Sequence, residues 1–188
     1  MTTLYLHGFC STPDSNKGRL LREAHENFGI RFLAPAMHCG PKKASEIIED
    51  TIKDLNSTRL VVIGSSLGGF YATWITEKLG CHAILLNPAV CPWRTINNYL
   101  GVHKVTEEIE IEVRPEYVEE LKTLNVAKLH NPQNYLTVLG DADEVLDWTM
   151  AKEHYAQTQQ WIIQGADHRF SNFEELLPRI MKVCQAFA

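Results

Sequence analysis

The chain has 188 residues, of which 45% are hydrophobic and 22% charged. These values are close to the averages for soluble globular proteins and argue against disordered, fibrous and membrane classes, while the length predicts a single domain over residues 1–188. The net charge of −5 provides no basic surface for a phosphate backbone, so we expect no nucleic-acid partner.

The N-terminal residues lack the basic and long apolar regions of a signal peptide. No run reaches the roughly 18 apolar residues of a spanning helix, so we expect a cytoplasmic protein without a membrane span. The five cysteines are odd in number and include no CxxC pair, which predicts free thiols rather than disulfides or a zinc site. They are Cys10, Cys39, Cys81, Cys91 and Cys184.

Short apolar runs alternate with segments of helical periodicity along most of the chain. The first half predicts strands at 3–6, 31–34, 60–63 and 81–86 and helices at about 17–27, 44–55 and 67–79. The second half predicts strands at 135–139 and 160–163 and helices at about 148–157 and 172–187. This alternation is typical of βαβ units and predicts an α/β fold, a three-layer α/β/α sandwich around a mostly parallel sheet of about six strands.

The segment at about 91–130 breaks the alternation. It holds Pro92 and Trp93, a charged run at 107–112 and a helix-like stretch at 115–124 in place of a single crossover helix. We therefore predict a small helical cap inserted into the domain.

The sequence Gly64-Ser65-Ser66-Leu67-Gly68 matches the G-x-S-x-G pattern. It lies between a predicted strand and a predicted helix, so the central serine falls in a sharp turn where flanking glycines prevent collisions. The pattern in this context predicts the α/β-hydrolase fold with Ser66 as the nucleophile. Ser65 has Ile63 two positions before it instead of glycine, so we expect Ser65 to pack within the turn.

A serine hydroxyl needs a general base, and chain order selects among the eight histidines. In this fold the histidine lies in the loop after the last strand, a position that His168 occupies in the 164–170 loop. His168 is therefore the predicted base. His7 is the strongest competitor, but it follows the first strand, where this fold places oxyanion-hole donors, and we expect it to orient that loop.

The acid that orients the imidazole is predicted in the segment 140–147, which follows a late strand and holds several carboxylates. Asp143 fits the G-x-x-D-x-[VI] spacing common at this place and is the first choice. Asp141 leaves the strand early and stays open as the alternative. Asp147 suits an N-cap of the next helix.

Acyl transfer also needs two N–H donors for the oxyanion. This fold supplies one from the residue after the nucleophile and one from a loop after an early strand, which predicts Leu67 and Phe9. The sequence has no Walker A pattern, no G-x-G-x-x-G and no metal-ligand cluster, so we expect no cofactor and no metal.

Taken as a set, several motifs resemble those of the YqiA-like family of small bacterial esterases. They are His7-Gly8-Phe9, the run from Gly64 to Trp74, Asn87-Pro88-Ala89-Val90, the run from Asp143 to Asp147 and the run from Asp167 to Phe170. The likeness spans nearly the whole chain. It implies a cytoplasmic esterase for short acyl esters, with acyl-CoA thioesters as further candidates. Ser66, Asp143 and His168 fall on the matching triad positions.

The chain departs from this family at one point. The family's run often passes from glycine directly into Asp-Glu-Val-Leu-Asp, whereas Asp141 and Ala142 intervene here before Asp143. This departure keeps Asp141 open as the acid.

We therefore expect a serine esterase that acts on a small-molecule ester or thioester through an acyl-enzyme. Two alternatives are an amidase or peptidase with the same triad, and a catalytically inactive protein of this fold that binds a ligand or partner. The apolar side chains of the cap either roof an acyl pocket or pack the insertion onto the core. They are Trp93, Tyr99, Val102 and Tyr117.

Overall fold

The computed structural model describes residues 1–187. Its strands are β1 (Thr2–Leu6), β2 (Arg31–Leu33), β3 (Leu60–Ser65), β4 (His82–Leu86), β5 (Gly101–Lys104), β6 (Glu110–Val113), β7 (Tyr135–Gly140) and β8 (Gln159–Ile163). Its helices are α1 (Asn16–Asn27), α2 (Pro41–Ile52), α3 (Leu67–Leu79), α4 (Tyr117–Thr123), α5 (Trp148–His154) and α6 (Phe173–Ala186). Both the order and the approximate bounds of the predicted elements are confirmed.

Six of the strands form one parallel sheet in the order β2-β1-β3-β4-β7-β8. Every residue of β3 and β7 is buried, as expected for inner strands covered on both faces. Because all six strands run in the same direction, the loops that follow them meet at one edge of the sheet. Ser66, Asp143 and His168 all lie in such loops.

Two apolar clusters, one on each face of the sheet, form the core. Helices α1 and α6 contribute Leu21, Phe173 and Ile180 to one cluster. Helices α2, α3 and α5 contribute to the other, for example through Ile48 and Ile75. The three-layer α/β/α sandwich predicted from the sequence is thereby confirmed.

The insertion after β4 differs from the predicted helical cap. It contains the predicted helix, as α4, but also an antiparallel hairpin of β5 and β6. In β6 the side chains of Ile111 and Val113 are buried, whereas Glu110 and Glu112 are exposed. This period-two alternation is that of a strand with one buried face, and it explains why the charged run is not helical.

Among residues 1–187, no helix combines the length and the apolar character needed to cross a lipid bilayer. The five cysteines are free thiols, as predicted, and Cys81 and Cys184 are buried.

Candidate active site

Ser66 lies in the sharp turn between β3 and α3 and has φ 55° and ψ −122°. Backbone hydrogen bonds hold this strained conformation, because the Ser66 N–H donates to the Leu86 carbonyl at 3.0 Å and the Ser66 carbonyl accepts from the Ala89 N–H at 3.0 Å. A Cβ on Gly64 would lie 2.4 Å from the Gly68 carbonyl oxygen, and one on Gly68 would lie 2.0 Å from a backbone oxygen of β1. The turn therefore requires both glycines.

The hydroxyl of Ser66 meets the imidazole of His168. Ser66 Oγ is 3.1 Å from His168 Nε2, and His168 Nδ1 is 2.7 Å from Asp143 Oδ2. The side chains of His168 and Asp143 are only 13% and 1% exposed. This chain of hydrogen bonds positions His168 to accept the Ser66 proton at Nε2 while Nδ1–H donates to the carboxylate.

Asp143 has a second set of partners on its other oxygen. Asp143 Oδ1 accepts the backbone N–H groups of Val145 at 2.9 Å and Leu146 at 2.8 Å. Burial by itself raises the pKa of Asp143, but the hydrogen bonds from His168 and these two amides outweigh it, so that its pKa lies below the ordinary value. The carboxylate is therefore ionised and fixed in orientation.

The neighbouring carboxylates have other partners. Asp141 Oδ1 accepts the Gly165 N–H at 2.6 Å, and Glu144 Oε2 accepts the backbone N–H of His168 at 3.0 Å. Asp147 caps α5, as predicted, by accepting the Thr149 N–H at 3.0 Å. Among residues 1–187, the His168 ring hydrogen-bonds to no carboxylate other than Asp143. Ser65 is buried at the end of β3.

Asn87, which the sequence analysis named only as part of a family motif, links the two loops that carry Asp143 and His168. Its Oδ1 accepts the Gly140 N–H at 2.7 Å, and its Nδ2 donates to the carbonyls of Asp167 at 3.2 Å and His168 at 3.1 Å. Asn87 is 2% exposed and has φ 42°, a region that asparagine tolerates better than most residues. Its position between a buried strand and a proline was the signal in the sequence that could have indicated a role for this polar side chain.

His7 fixes the loop after β1. Its Nε2 accepts the Met37 N–H at 3.0 Å, and its Nδ1–H donates to the Gly8 carbonyl at 2.9 Å. The first bond requires an unprotonated Nε2, so the ring is neutral. Burial lowers the pKa of His7 to about 4. Because both nitrogens have partners, His7 is not free to act on Ser66.

The loop after β1 passes beside the Ser66 hydroxyl. A Cβ on Gly8 would lie 3.1 Å from Ser66 Cβ and 3.7 Å from Ser66 Oγ. Phe9 follows in this loop, and Leu67 is the first residue of α3. Within the part of the chain that the structure describes, the N–H groups of Phe9 and Leu67 donate to no protein acceptor.

Two clefts meet at Gly8 and Phe9. The first, the apolar cleft, lies between the core and the insertion and is lined by Phe9, Leu67 and Tyr71. The insertion contributes Ile96, Val105, Ile111, Tyr117 and Leu121 to it. The second, the polar cleft, is wider, contains Ser66 and His168, and is lined by Ser15, Asn16, Lys17 and Arg169 as well.

From the sequence, we predicted that four apolar side chains of the insertion either roof a pocket or pack the insertion onto the core, and the structure places them differently. Tyr117 lines the apolar cleft. Tyr99 packs edge-on against Phe9, with ring centroids 5.5 Å apart, and Trp93 packs against Phe70 at 6.2 Å. Val102 is exposed and lines neither cleft. Residues 1–187 contain no group of three or more His, Cys, Asp or Glu side chains arranged to hold a metal ion.

A parallel sheet covered by helices on both faces, with a serine in a strained strand-to-helix turn, defines a protein of the α/β-hydrolase fold. Solved structures agree. The chain is similar to Est1E from Butyrivibrio proteoclasticus, with a TM-score of 0.73 and 17% identity over 98% of this chain and 88% of that one. It is also similar to mouse alpha/beta hydrolase domain-containing protein 10, with a TM-score of 0.72 and 14% identity over 100% of this chain and 90% of that one.

Residues 2–185 match the family described as Uncharacterised protein family (UPF0227), and the chain belongs to that family. A UPF0227 protein of Serratia proteamaculans is 26% identical over 184 residues, which cover 94% of this chain and 95% of the relative. The UPF0227 protein YcfP of Escherichia coli is 22% identical over 184 residues, with the same coverage. The predicted YqiA-like family membership is thereby confirmed.

Proposed function

We propose that this protein is a serine esterase that hydrolyses carboxylic esters and thioesters of small molecules through Ser66, His168 and Asp143. The observation that carries the proposal is the continuous hydrogen-bonded chain from Ser66 Oγ through His168 to Asp143 Oδ2, with distances of 3.1 Å and 2.7 Å. Side chains in this order are what nucleophilic acyl transfer requires.

In the first half-reaction, His168 Nε2 takes the proton of Ser66 Oγ as the oxygen attacks the substrate's carbonyl carbon. The oxyanion that forms accepts hydrogen bonds from the N–H groups of Phe9 and Leu67, which have no protein acceptor in residues 1–187. Protonated Nε2 then delivers its proton to the leaving oxygen or sulfur. The bond from the carbonyl carbon to that atom breaks, and an acyl-enzyme on Ser66 remains.

In the second half-reaction, water attacks the acyl-enzyme while His168 Nε2 accepts a water proton. Collapse of the second tetrahedral intermediate breaks the bond to Ser66 Oγ, which regains the proton from Nε2, and the carboxylic acid leaves. Asp143 stays ionised throughout and stabilises the imidazolium, a role that suits its lowered pKa.

The apolar cleft is our candidate for the acyl group. It is lined by Phe9 and Leu67, the two proposed oxyanion donors, so an acyl chain bound in it lies next to both of these residues. It is narrow and closed in part by Ile111 and Tyr117 of the insertion, which favours short acyl chains over long ones.

The proposal is tested with p-nitrophenyl esters of increasing acyl length and with acetyl-CoA. We expect the wild-type protein to prefer short acyl groups and Ser66→Ala to lose at least about 10⁴-fold in kcat. Ser65→Ala is the matched control, because it removes a hydroxyl one residue away that is buried in β3. It should retain most of the activity.

A fluorophosphonate probe separates the alternatives. Labelling of Ser66 without ester or thioester turnover would support an amidase or peptidase, which peptide and amide substrates would then test. Absence of both labelling and turnover would support an inactive binding protein.

We also infer that the chain forms a single domain, because one six-stranded sheet separates the two core clusters. Its five free thiols, with no disulfide among them, favour a reducing compartment such as the cytoplasm. One cooperative thermal transition is expected, and two separate transitions would contradict the single domain.

A further inference from the structure

The two clefts beside the proposed active site differ in charge. The apolar cleft has no lysine, arginine, aspartate or glutamate in its lining. The polar cleft is lined by Lys17 and Arg169, and no carboxylate within residues 1–187 lines it. The chain has a net charge of −5, but this cleft beside Ser66 is lined by two cationic side chains and by no carboxylate, so it is locally positive.

Contacts with the protein hold Lys17 at this cleft. Its Nζ donates to the Arg169 carbonyl at 2.6 Å, which fixes the ammonium group near the loop of His168. Burial is the main cause that lowers the pKa of Lys17 to about 8; the charge of Asp167 opposes this change and that of Arg169 adds to it. The Asp167 carboxylate, however, accepts the N–H of Ser171 at 2.7 Å and its hydroxyl at 2.6 Å, and it does not line the cleft.

The Arg169 side chain is exposed and forms no ion pair or hydrogen bond with residues 1–187. Its five N–H donors are therefore available to a ligand. Ser15 and Asn16, at the start of the 12-residue helix α1, line the same cleft, and the partial positive charge of that helix end adds to the field of the two cations.

The chemistry of the proposed reaction assigns this cleft to one half of the substrate. His168 must protonate the leaving atom, so the leaving group lies on the side where His168 is exposed to the cleft. His168 lines the polar cleft and does not line the apolar one. The alcohol or thiol part of the substrate thus extends toward Arg169 and Lys17.

We propose that the natural substrate carries a negatively charged group, such as a carboxylate or phosphate, on its leaving-group side, and that Arg169 and Lys17 bind it. The inference rests on the proposed esterase function, because that reaction defines which side is the leaving-group side. It adds a substrate class: esters or thioesters with a short acyl group and an anionic alcohol or thiol.

The test compares two acetate esters of the same shape, 4-acetoxy-3-nitrobenzoate and the neutral 4-acetoxy-3-nitrobenzamide. The measured quantity is the ratio of kcat/KM for the anionic ester to that for the neutral ester. Differences in intrinsic reactivity cancel when this ratio is compared between variants. A third ester with a phosphonate in place of the carboxylate shows which anion is preferred.

We expect Arg169→Gln to lower the ratio about fivefold, the effect of one partly exposed charge pair, and Arg169→Glu to lower it further. Lys17→Gln should also lower it, and added salt should reduce the wild-type ratio. Arg59→Gln is the control, since it removes an exposed cation immediately before β3, at the sheet edge opposite Ser66, and should leave both rates unchanged.

An equal ratio in wild type, Arg169→Gln, Arg169→Glu and Arg59→Gln, with both esters hydrolysed, would overturn the inference and leave the esterase proposal intact. Failure of the wild-type protein to hydrolyse any of the esters would instead overturn the esterase proposal and, with it, this inference. Because the Arg169 side chain forms no hydrogen bond with residues 1–187, replacing it removes a charge from the cleft without breaking a hydrogen bond within the protein.

Discussion

Replacing Asn87 by alanine removes the side chain that joins the loop after β7 to the loop after β8. The buried N–H of Gly140 then has no acceptor, which lowers the free energy of unfolding by about 1–3 kcal/mol. Loss of the donor shared by the carbonyls of Asp167 and His168 adds about 1 kcal/mol. We therefore expect the free energy of unfolding to fall by about 2–4 kcal/mol.

The same change should impair catalysis beyond its effect on stability. His168 and Asp143 stand on the two loops that Asn87 links, and small displacements of reacting groups reduce rates by up to about 100-fold. We expect kcat to fall by about 10- to 100-fold with little change in KM, and the pH–rate profile to shift because the bond between His168 and Asp143 loosens.

The assay measures urea unfolding together with kcat, KM and the pH–rate profile on a short ester. Tyr155→Phe is the control, because it removes a buried hydrogen bond of 2.8 Å to Thr73 that lies away from both loops. It should lower stability without a matching loss in kcat. If Asn87→Ala lowered stability but left kcat and the pH profile as in wild type, Asn87 would be a structural residue only and our reasoning would be refuted.

Three further predictions concern the residues around Ser66. Asp143→Asn should lower kcat by about 10⁴-fold. Asp141→Asn keeps an oxygen that can accept the Gly165 N–H and should lower kcat by less than about tenfold. If Asp141→Asn had the larger effect, Asp141 would be the acid. The pKa of Asp143 is lowered in the folded protein, so its contribution to the free energy of unfolding is complete above about pH 4 and is lost as the pH falls through the lowered pKa. Urea unfolding should therefore show that the free energy of unfolding decreases more steeply with falling pH in wild type than in Asp143→Asn. Gly8→Ala would bring a Cβ to 3.1 Å from Ser66 Cβ, and we expect about a tenfold loss of kcat with less than about 1 kcal/mol of destabilisation; an equal kcat would show that the loop moves freely.

Local patterns were sufficient for the central parts of the fold. The predicted bounds of α3, Leu67–Leu79, agree with the structure because the turn glycines mark its start and Gly80, with φ 69°, marks its end. The position of His168 was predicted from chain order, because the loop after the last strand of this chain contains one histidine. The bounds of α3 depend on neighbours in sequence, and the position of His168 depends on the fixed order of the site residues in this fold.

Two features were not predicted, for different reasons. Asn87 acts across 53 residues to Gly140 and 81 residues to His168, and nothing next to it in the sequence indicates these partners. The second strand of the hairpin did have a local signal, because glutamates and apolar residues alternate from Glu108 to Val113. It was missed because this stretch was treated only as a charged run. The structure buries Ile111 and Val113 of this alternation and exposes Glu110 and Glu112.

The hydrogen bonds of His7 have a consequence for kinetics. The ring of His7 remains uncharged until the pH falls to about 4, because burial lowers its pKa. Over the working range of most esterase assays, His7 therefore keeps the same charge and the same two hydrogen bonds in the loop beside Ser66. A change of rate within that range is then not caused by protonation of His7.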